Sequence, residues 1–406
     1  MFFLFTESGH ASLFVASFPL FRHGNFIDIS SFAYNIISSD SFRERKGVFM
    51  KKIVMTGGGT AGHVTPNIAL MPALKEAGYD IHYIGSHTGI ERGLIEAQNI
   101  PYTGIDSGKL RRYFDPKNFS DPFRVIKGYA QALGLMHKLK PDIVFSKGGF
   151  VSVPVVLAAK TCGVPAIIHE SDITPGLANR IAIKGAKKVC CNFPETLKYL
   201  PADKAVLTGS PIRRELFSGT AEKAYELCNF PAEKKPVLLI IGGSLGSRAI
   251  NEAVRKVLPE LLKDFYIIHL CGKGNLDESL IGTVGYAQFE YVSAELTDML
   301  ALADLAISRA GANSICELLA LHKPNILIPL SAAASRGDQI LNAKSFAKQG
   351  FSYVIQEEDV TDEVLLAAVR DVFANRQSYI DAMSQSGQMD SIGTILDLIE
   401  KERKQK

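Results

Sequence analysis

The sequence predicts an α/β protein with two doubly wound parallel sheets facing a cleft, and three observations predict it. From Met50 onward, short apolar strands rich in β-branched residues alternate with helical patterns, as in sheets whose parallel strands are joined by helices. Residues 51–67 (KKIVMTGGGTAGHVTPN) run from a strand through a glycine-rich turn into a helix. The same opening recurs over residues 236–262, which gives two Rossmann-like units. Ligands of such sheets bind beyond the carboxyl ends of the strands.

In the first unit, strands are expected at residues 52–55, 80–84, 141–145, 166–168, 188–191 and 205–207. Gly57, Gly59 and Gly62 fit the dinucleotide fingerprint G-x-G-x-x-G, so a nicotinamide enzyme has to be weighed. Such an enzyme wants Asp or Glu at the end of the second strand to hold a ribose. That strand here ends in Gly85 and Ser86, which argues against dinucleotide binding. Residues 104–140 form a long connection, read as a surface loop or a docking segment. Its Lys109, Arg111, Arg112, Tyr113, Phe114 and Phe119 would suit a lipid headgroup surface.

The first domain is expected over residues 50–215, a polar linker over 216–235, a second domain over 236–383, and a C-terminal helix within 384–406. The second unit opens with a buried strand, a glycine-rich turn at residues 242–247 and a helix. A further strand over 303–307 leads through Ser308-Arg309-Ala310-Gly311-Ala312-Asn313-Ser314 into a helix carrying Glu317. Gly337, Asp338 and Gln339 start another helix. Helix N-termini present free N–H groups and positive dipole ends, so three of them along one edge suit the diphosphate of a nucleotide, with Glu317 placed for ribose hydroxyls.

The 406 residues are 47% hydrophobic and 21% charged, enough for two substantial cores. Six cysteines without a C-x-x-C pair suit a reducing compartment and argue against a zinc or disulfide framework. The net charge of +3 conceals an asymmetry: residues 50–211 carry 20 Lys+Arg against 12 Asp+Glu, whereas residues 212–406 carry 21 against 26. The basic half, with its neighbouring apolar runs, is expected to face an anionic membrane surface; nucleic acid has no supporting motif. Residues 1–49 are apolar at the start but lack a basic n-region and a cleavage site, and a polar break keeps them short of the roughly 18 apolar residues of a span. Met50 is expected to be the true start, because Lys46-Gly47-Val48 can be encoded by a purine-rich ribosome-binding site just upstream.

The set TGGGTAGHVTPN, SKGGFVSVPV, HESDITPGLAN, GGSLGSRAIN, SRAGANSICE and DQILNA, in this order, closely resembles the MurG family of membrane-associated glycosyltransferases. The resemblance covers residues 50–406. It implies a GT-B architecture, with the acceptor on the first domain, the sugar nucleotide mainly on the second, and the last helix crossing back to the first. It implies transfer of N-acetylglucosamine from UDP-N-acetylglucosamine to lipid I, at the cytoplasmic side of the cell membrane, and partners among cell-wall synthesis proteins. By the resemblance, Thr60, Ala61, Gly62, Arg213, Ser244 and Gln339 contact the donor, the Val292 backbone holds uracil, and Ala312, Asn313, Ser314 and Glu317 belong to the pyrophosphate helix. Asp172 and Phe150 stand where other members have Asn and Tyr.

Transfer with inversion needs a base on the acceptor hydroxyl and stabilisation of a departing pyrophosphate. The chain has no D-x-D, so no metal or other cofactor is expected, and the charge falls to helix dipoles, backbone amides and Arg213. His63, on the first turn, is the expected base, with Glu170 as a second catalytic candidate and Asp172 as another acid near the acceptor. Gly59, Lys147, Gly148 and Gly149 offer small residues and a cation for the acceptor's pyrophosphate. The rival readings are a UDP-sugar epimerase of the same architecture and a non-catalytic sugar-nucleotide-binding regulator.

Overall fold

The computed structural model describes residues 50–108, 121–243, 246–332, 337–386 and 390–405. The expectations placed on residues 1–49, on the basic aromatic run from Lys109 to Phe119 and on Ser244 lie outside these residues. The first sheet has the order β3-β2-β1-β4-β5-β6-β7, every pairing parallel. Its strands are β1 (Lys51–Thr56), β2 (Tyr79–Ser86), β3 (Tyr102–Ile105), β4 (Ile143–Ser146), β5 (Ala166–Glu170), β6 (Lys188–Cys191) and β7 (Ala205–Leu207). Five helices connect them: α1 (Thr65–Glu76), α2 (Ile90–Glu96), α3 (Asp121–Leu139), α4 (Ser152–Thr161) and α5 (Leu177–Ala182).

The second sheet, β10-β9-β8-β11-β12-β13, is also parallel throughout. Its strands are β8 (Val237–Ile241), β9 (Tyr266–Leu270), β10 (Tyr286–Phe289), β11 (Leu305–Ser308), β12 (Asn325–Leu327) and β13 (Tyr353–Val354). Helix α6 (Ala221–Leu227) precedes it. Helices α7 (Arg248–Lys256), α8 (Leu258–Asp264), α9 (Glu295–Leu302), α10 (Ala312–Ala320) and α11 (Asp338–Lys348) lie between its strands, and α12 (Asp362–Ala374), α13 (Arg376–Ser384) and α14 (Ser391–Glu402) follow.

Both orders reverse beside the first strand of each sheet, between β1 and β4 and between β8 and β11. The crevice at such a reversal is where ligands of these sheets bind. The sequence placed both glycine turns there. Central strands are buried on both faces, which is why β1, β4 and β5 read as apolar runs without alternation. Each sheet carries an apolar layer on either side, and a smaller cluster built from Ile173, Phe193, Ala312, Ile315, Phe346 and Phe351 joins the two lobes.

One segment differs from the sequence expectation. The long connection of residues 104–140 is largely a 19-residue helix, α3, preceded by the edge strand β3. β3 is short, half-buried and contains Gly104, so it lacks the continuous apolar run by which central strands declare themselves. Helix α14 leaves the second lobe and packs Ile395 and Ile399, both fully buried, into the apolar layer beneath β1 and α1. Its Glu400 accepts from Lys51 Nζ at 2.6 Å.

Candidate active site

The turn after β1 is held from two sides. Gly149, after β4, lies so close that a Cβ on it would sit 2.2 Å from the Gly58 carbonyl oxygen, and its φ of +83° suits glycine alone. From the other side the buried Glu91, at the start of α2, accepts from Gly59 N at 3.1 Å and from Ser86 N at 2.9 Å and Ser86 Oγ at 2.5 Å. Burial acts to raise the Glu91 pKa, but these donors together hold it below the ordinary carboxyl value. Asn67 of α1, buried, donates to Thr56 O and to Tyr83 Oη, fixing the helix to the strand end. Gly59 is exposed and open to the cleft.

His63 ends the short helical turn Ala61–His63 and lines a cavity of about 770 Å³. Its Nδ1 lies 3.0 Å from Thr60 Oγ1. Gly59, Gly149, Phe150, Glu170 and Asp172 line the same cavity. Both Glu170 oxygens are engaged by the loop that follows: Oε1 accepts from Asp172 N, and Oε2 accepts from Gly176 N and Asn179 Nδ2. Burial raises the Glu170 pKa. Its carboxyl therefore folds the loop over residues 171–176 and starts α5. Lys147 is turned inward, only 1% exposed, with Nζ 2.6 Å from His169 Nδ1 and 2.7 Å from Ser171 Oγ. Gly148 carries φ +94° and sits against the Asn179 side chain.

First-lobe residues line this cavity, and the second lobe bonds to the turn and loop beside it. Asn313, in the first turn of α10, donates through Nδ2 to the Gly62 carbonyl at 2.7 Å, bringing that helix N-terminus to the turn that bears His63. Asn342 donates to Asp172 Oδ1 at 3.0 Å and accepts from Ile173 N, while Thr174 donates to Asp338 Oδ1 at 2.8 Å. Arg213, on the crossing between lobes, pairs with Glu317 at 3.3 Å. Burial raises the Glu317 pKa, and Arg213 opposes that. Ala312 is buried at the start of α10 beside the half-buried Ser314. Gln339 accepts from Leu330 N at 3.0 Å. Val292 follows β10, half-buried on the second lobe's core.

Thr60, Ala61, Gly62 and His63 thus come together with Ala312, Asn313 and Ser314, and Arg213 with Glu317. Lys147 is not brought to the cavity surface. Sequence reading missed Glu91, Asn67 and Asn342. Asn67 and Asn342 stand inside motifs that were singled out, whereas Glu91 has only the weak signal of an acid in a helix's first turn.

Residues 53–191 match the glycosyltransferase family 28 N-terminal domain, and residues 237–396 match the C-terminal domain of the same family. The crystal structure of Acinetobacter baumannii MurG superposes with a TM-score of 0.69 at 30% identity, covering 86% of this chain and 99% of that one. The chain belongs to the MurG group of glycosyltransferase family 28. A family relative from Lachnospira eligens is 65% identical over 86% of this chain and 99% of its own length. One from Lachnoclostridium phytofermentans is 66% identical over 87% and 99%. Both are named UDP-N-acetylglucosamine–N-acetylmuramyl-(pentapeptide) pyrophosphoryl-undecaprenol N-acetylglucosamine transferase. The two parallel-sheet lobes are the GT-B architecture of this family.

Proposed function

We propose that this chain moves N-acetylglucosamine from UDP-N-acetylglucosamine to undecaprenyl-pyrophosphoryl N-acetylmuramyl-pentapeptide, lipid I, giving lipid II for peptidoglycan. The observation that carries the reading is the contact of Asn313 with Gly62, which sets a helix N-terminus for the donor pyrophosphate against the turn that bears His63. With the proton on Nδ1 donated to Thr60 Oγ1, His63 Nε2 is the basic nitrogen facing the acceptor. The acceptor hydroxyl oxygen bonds to the anomeric carbon from one side, its proton passing to His63. The bond from that carbon to the β-phosphate oxygen breaks on the other side, and its electron pair leaves with UDP. The N–H groups of α10 and Arg213 meet the developing phosphate charge. Glu317, now paired with Arg213, is placed to exchange that partner for ribose hydroxyls. Glu170 orders the acceptor loop.

The acceptor enters from the membrane. Ile90, Phe123 and Ile126 are 55%, 75% and 64% exposed, and Ile90 and Arg124 line the same cavity as His63. Apolar side chains beside Arg124 and Lys127 suit an anionic inner-leaflet surface, which supports reading this as a peripheral protein of the cytoplasmic side. No helix among the described residues is long and apolar enough to cross a membrane. The close relatives all carry the transferase name, so the epimerase and regulator readings are not favoured.

The test is transfer of labelled N-acetylglucosamine to a lipid I analogue with EDTA present. The parent should transfer, and His63→Ala should lose about 10²–10⁴-fold in rate with UDP-sugar binding intact. Undiminished transfer by the variant removes His63 as base; no transfer by the parent removes the activity.

A further inference from the structure

The mechanism above makes no use of the ammonium of Lys147, yet it lies buried where three parts of the site meet. The proton positions around it follow from chemistry. Gly209 O can only accept, so His169 Nε2, 2.9 Å away, carries a hydrogen and donates it. His169 Nδ1 is then the acceptor, and Lys147 Nζ donates to it at 2.6 Å and to Ser171 Oγ at 2.7 Å. Burial and the lysine charge push the His169 pKa well down, which keeps the ring neutral and this tautomer in place.

A single line of hydrogen bonds therefore runs from the interlobe crossing at Gly209, through His169 and Lys147, to Ser171 at the start of the acceptor loop. The Lys147 amide donates to Thr56 O, anchoring the residue to the end of β1. One residue past Ser171, Asp172 reaches Asn342 of the other lobe. A buried cation is expensive unless paired and hydrogen-bonded, so a lysine kept here needs a reason.

We propose that Lys147 is a positioning residue that fastens the acceptor loop, residues 171–176, to the interlobe crossing at residues 208–212, so that lobe contact and loop order are set together. The proposal rests on the transferase reading for its kinetic consequences only. Burial lowers the Lys147 pKa to about 8, with Glu170, Cys316, Asp172 and Cys190 drawing it back up and the neutral His169 as its closest neighbour. Those groups come from β5, the loop after it, β6 and α10, so charge on the lysine is felt from both lobes.

The experiment compares the full chain with Lys147→Met, which keeps the volume and removes the donors, and with Ser171→Ala, which removes one branch. In hydrogen–deuterium exchange, Lys147→Met should raise exchange about tenfold in segments 171–176 and 208–212 together, whereas Ser171→Ala should raise it in 171–176 alone. Exchange at 208–212 that stays at the parent level in Lys147→Met overturns the proposal, whatever the activity. If Lys147→Met does not fold, a rise at 208–212 in Ser171→Ala equal to that at 171–176 overturns it, and a rise confined to 171–176 supports it. In transfer assays Lys147→Met should raise the acceptor KM about tenfold with the donor KM within twofold, and an alkaline limb near pH 8 in the parent's kcat/KM profile should vanish. Equal rises in both KM values, or a limb that persists, count against it. Absence of transfer by the parent would strike the transferase reading alone, since the exchange measurement still decides this one.

Discussion

Glu91 holds the first glycine turn with a carboxylate that receives three hydrogen bonds, and its consequences can be measured. Its folded pKa lies below the unfolded value. The stabilisation is therefore present above the unfolded carboxyl range and is lost as pH falls through the folded value. Glu91→Gln places an amide where only acceptors fit, so unfolding in denaturant should show a loss of about 1–3 kcal/mol at neutral pH that shrinks in acid. Transfer should fall with it, because Gly59 loses its anchor. Lys147 gives a slope of the same sign in a higher pH window. Between about 8 and the ordinary lysine value of 10.5 the unfolded chain binds more protons than the folded one, so stability gains with pH there. Lys147→Met should flatten that rise in a plot of unfolding midpoint against pH. The sequence showed Lys147 beside two glycines, a pattern that suits a cleft cation. Only the fold shows that the side chain turns inward, because burial depends on where β5 and its loop lie.

At the scale of elements, the strands flanking each reversal of strand order were legible because they are apolar on both faces, and the glycine turns because a close backbone approach excludes side chains there. The short, partly exposed edge strands β3, β10 and β13 were not read, and neither was the fully buried β9, although the edge strand β7 was. Helix α14 was placed from family resemblance, and its packing follows from two residues. Ile395 and Ile399 are fully buried against the first lobe, while Asp390 caps the helix by accepting from Gly393 N at 2.9 Å. Core burial outweighs an exposed cap. Ile399→Ala should lower stability by about 2–5 kcal/mol, and Asp390→Ala by about 1 kcal/mol. Equal shifts in unfolding midpoint would mean that α14 is not held by its apolar face.

For the whole molecule, the lobes are joined by an apolar cluster and by polar contacts, several of which lie beside the site. Asn342 is fully buried and serves both lobes at once, donating to Asp172 Oδ1 and to Ala310 O while accepting from Ile173 N. Ser345 donates to Glu195 Oε1 at 2.9 Å farther along the same helix, on the same interface but away from the cavity. Asn342→Ala leaves the buried Ile173 amide without its acceptor, an expected loss of about 1–3 kcal/mol. Ser345→Ala removes the donor of a part-buried bond to the half-exposed Glu195 and should cost less. The larger consequence is geometric, because the loop carrying Asp172 and the helix start carrying Asp338 are registered through Asn342. In small-angle scattering, Asn342→Ala should give the ligand-free protein a larger radius of gyration than the parent, Ser345→Ala should not, and UDP-N-acetylglucosamine should restore the parent value by binding across the lobes. An unchanged radius in Asn342→Ala would mean that the apolar cluster around Phe193 and Phe346 alone sets the lobe arrangement, and that the asparagine acts only on the loop.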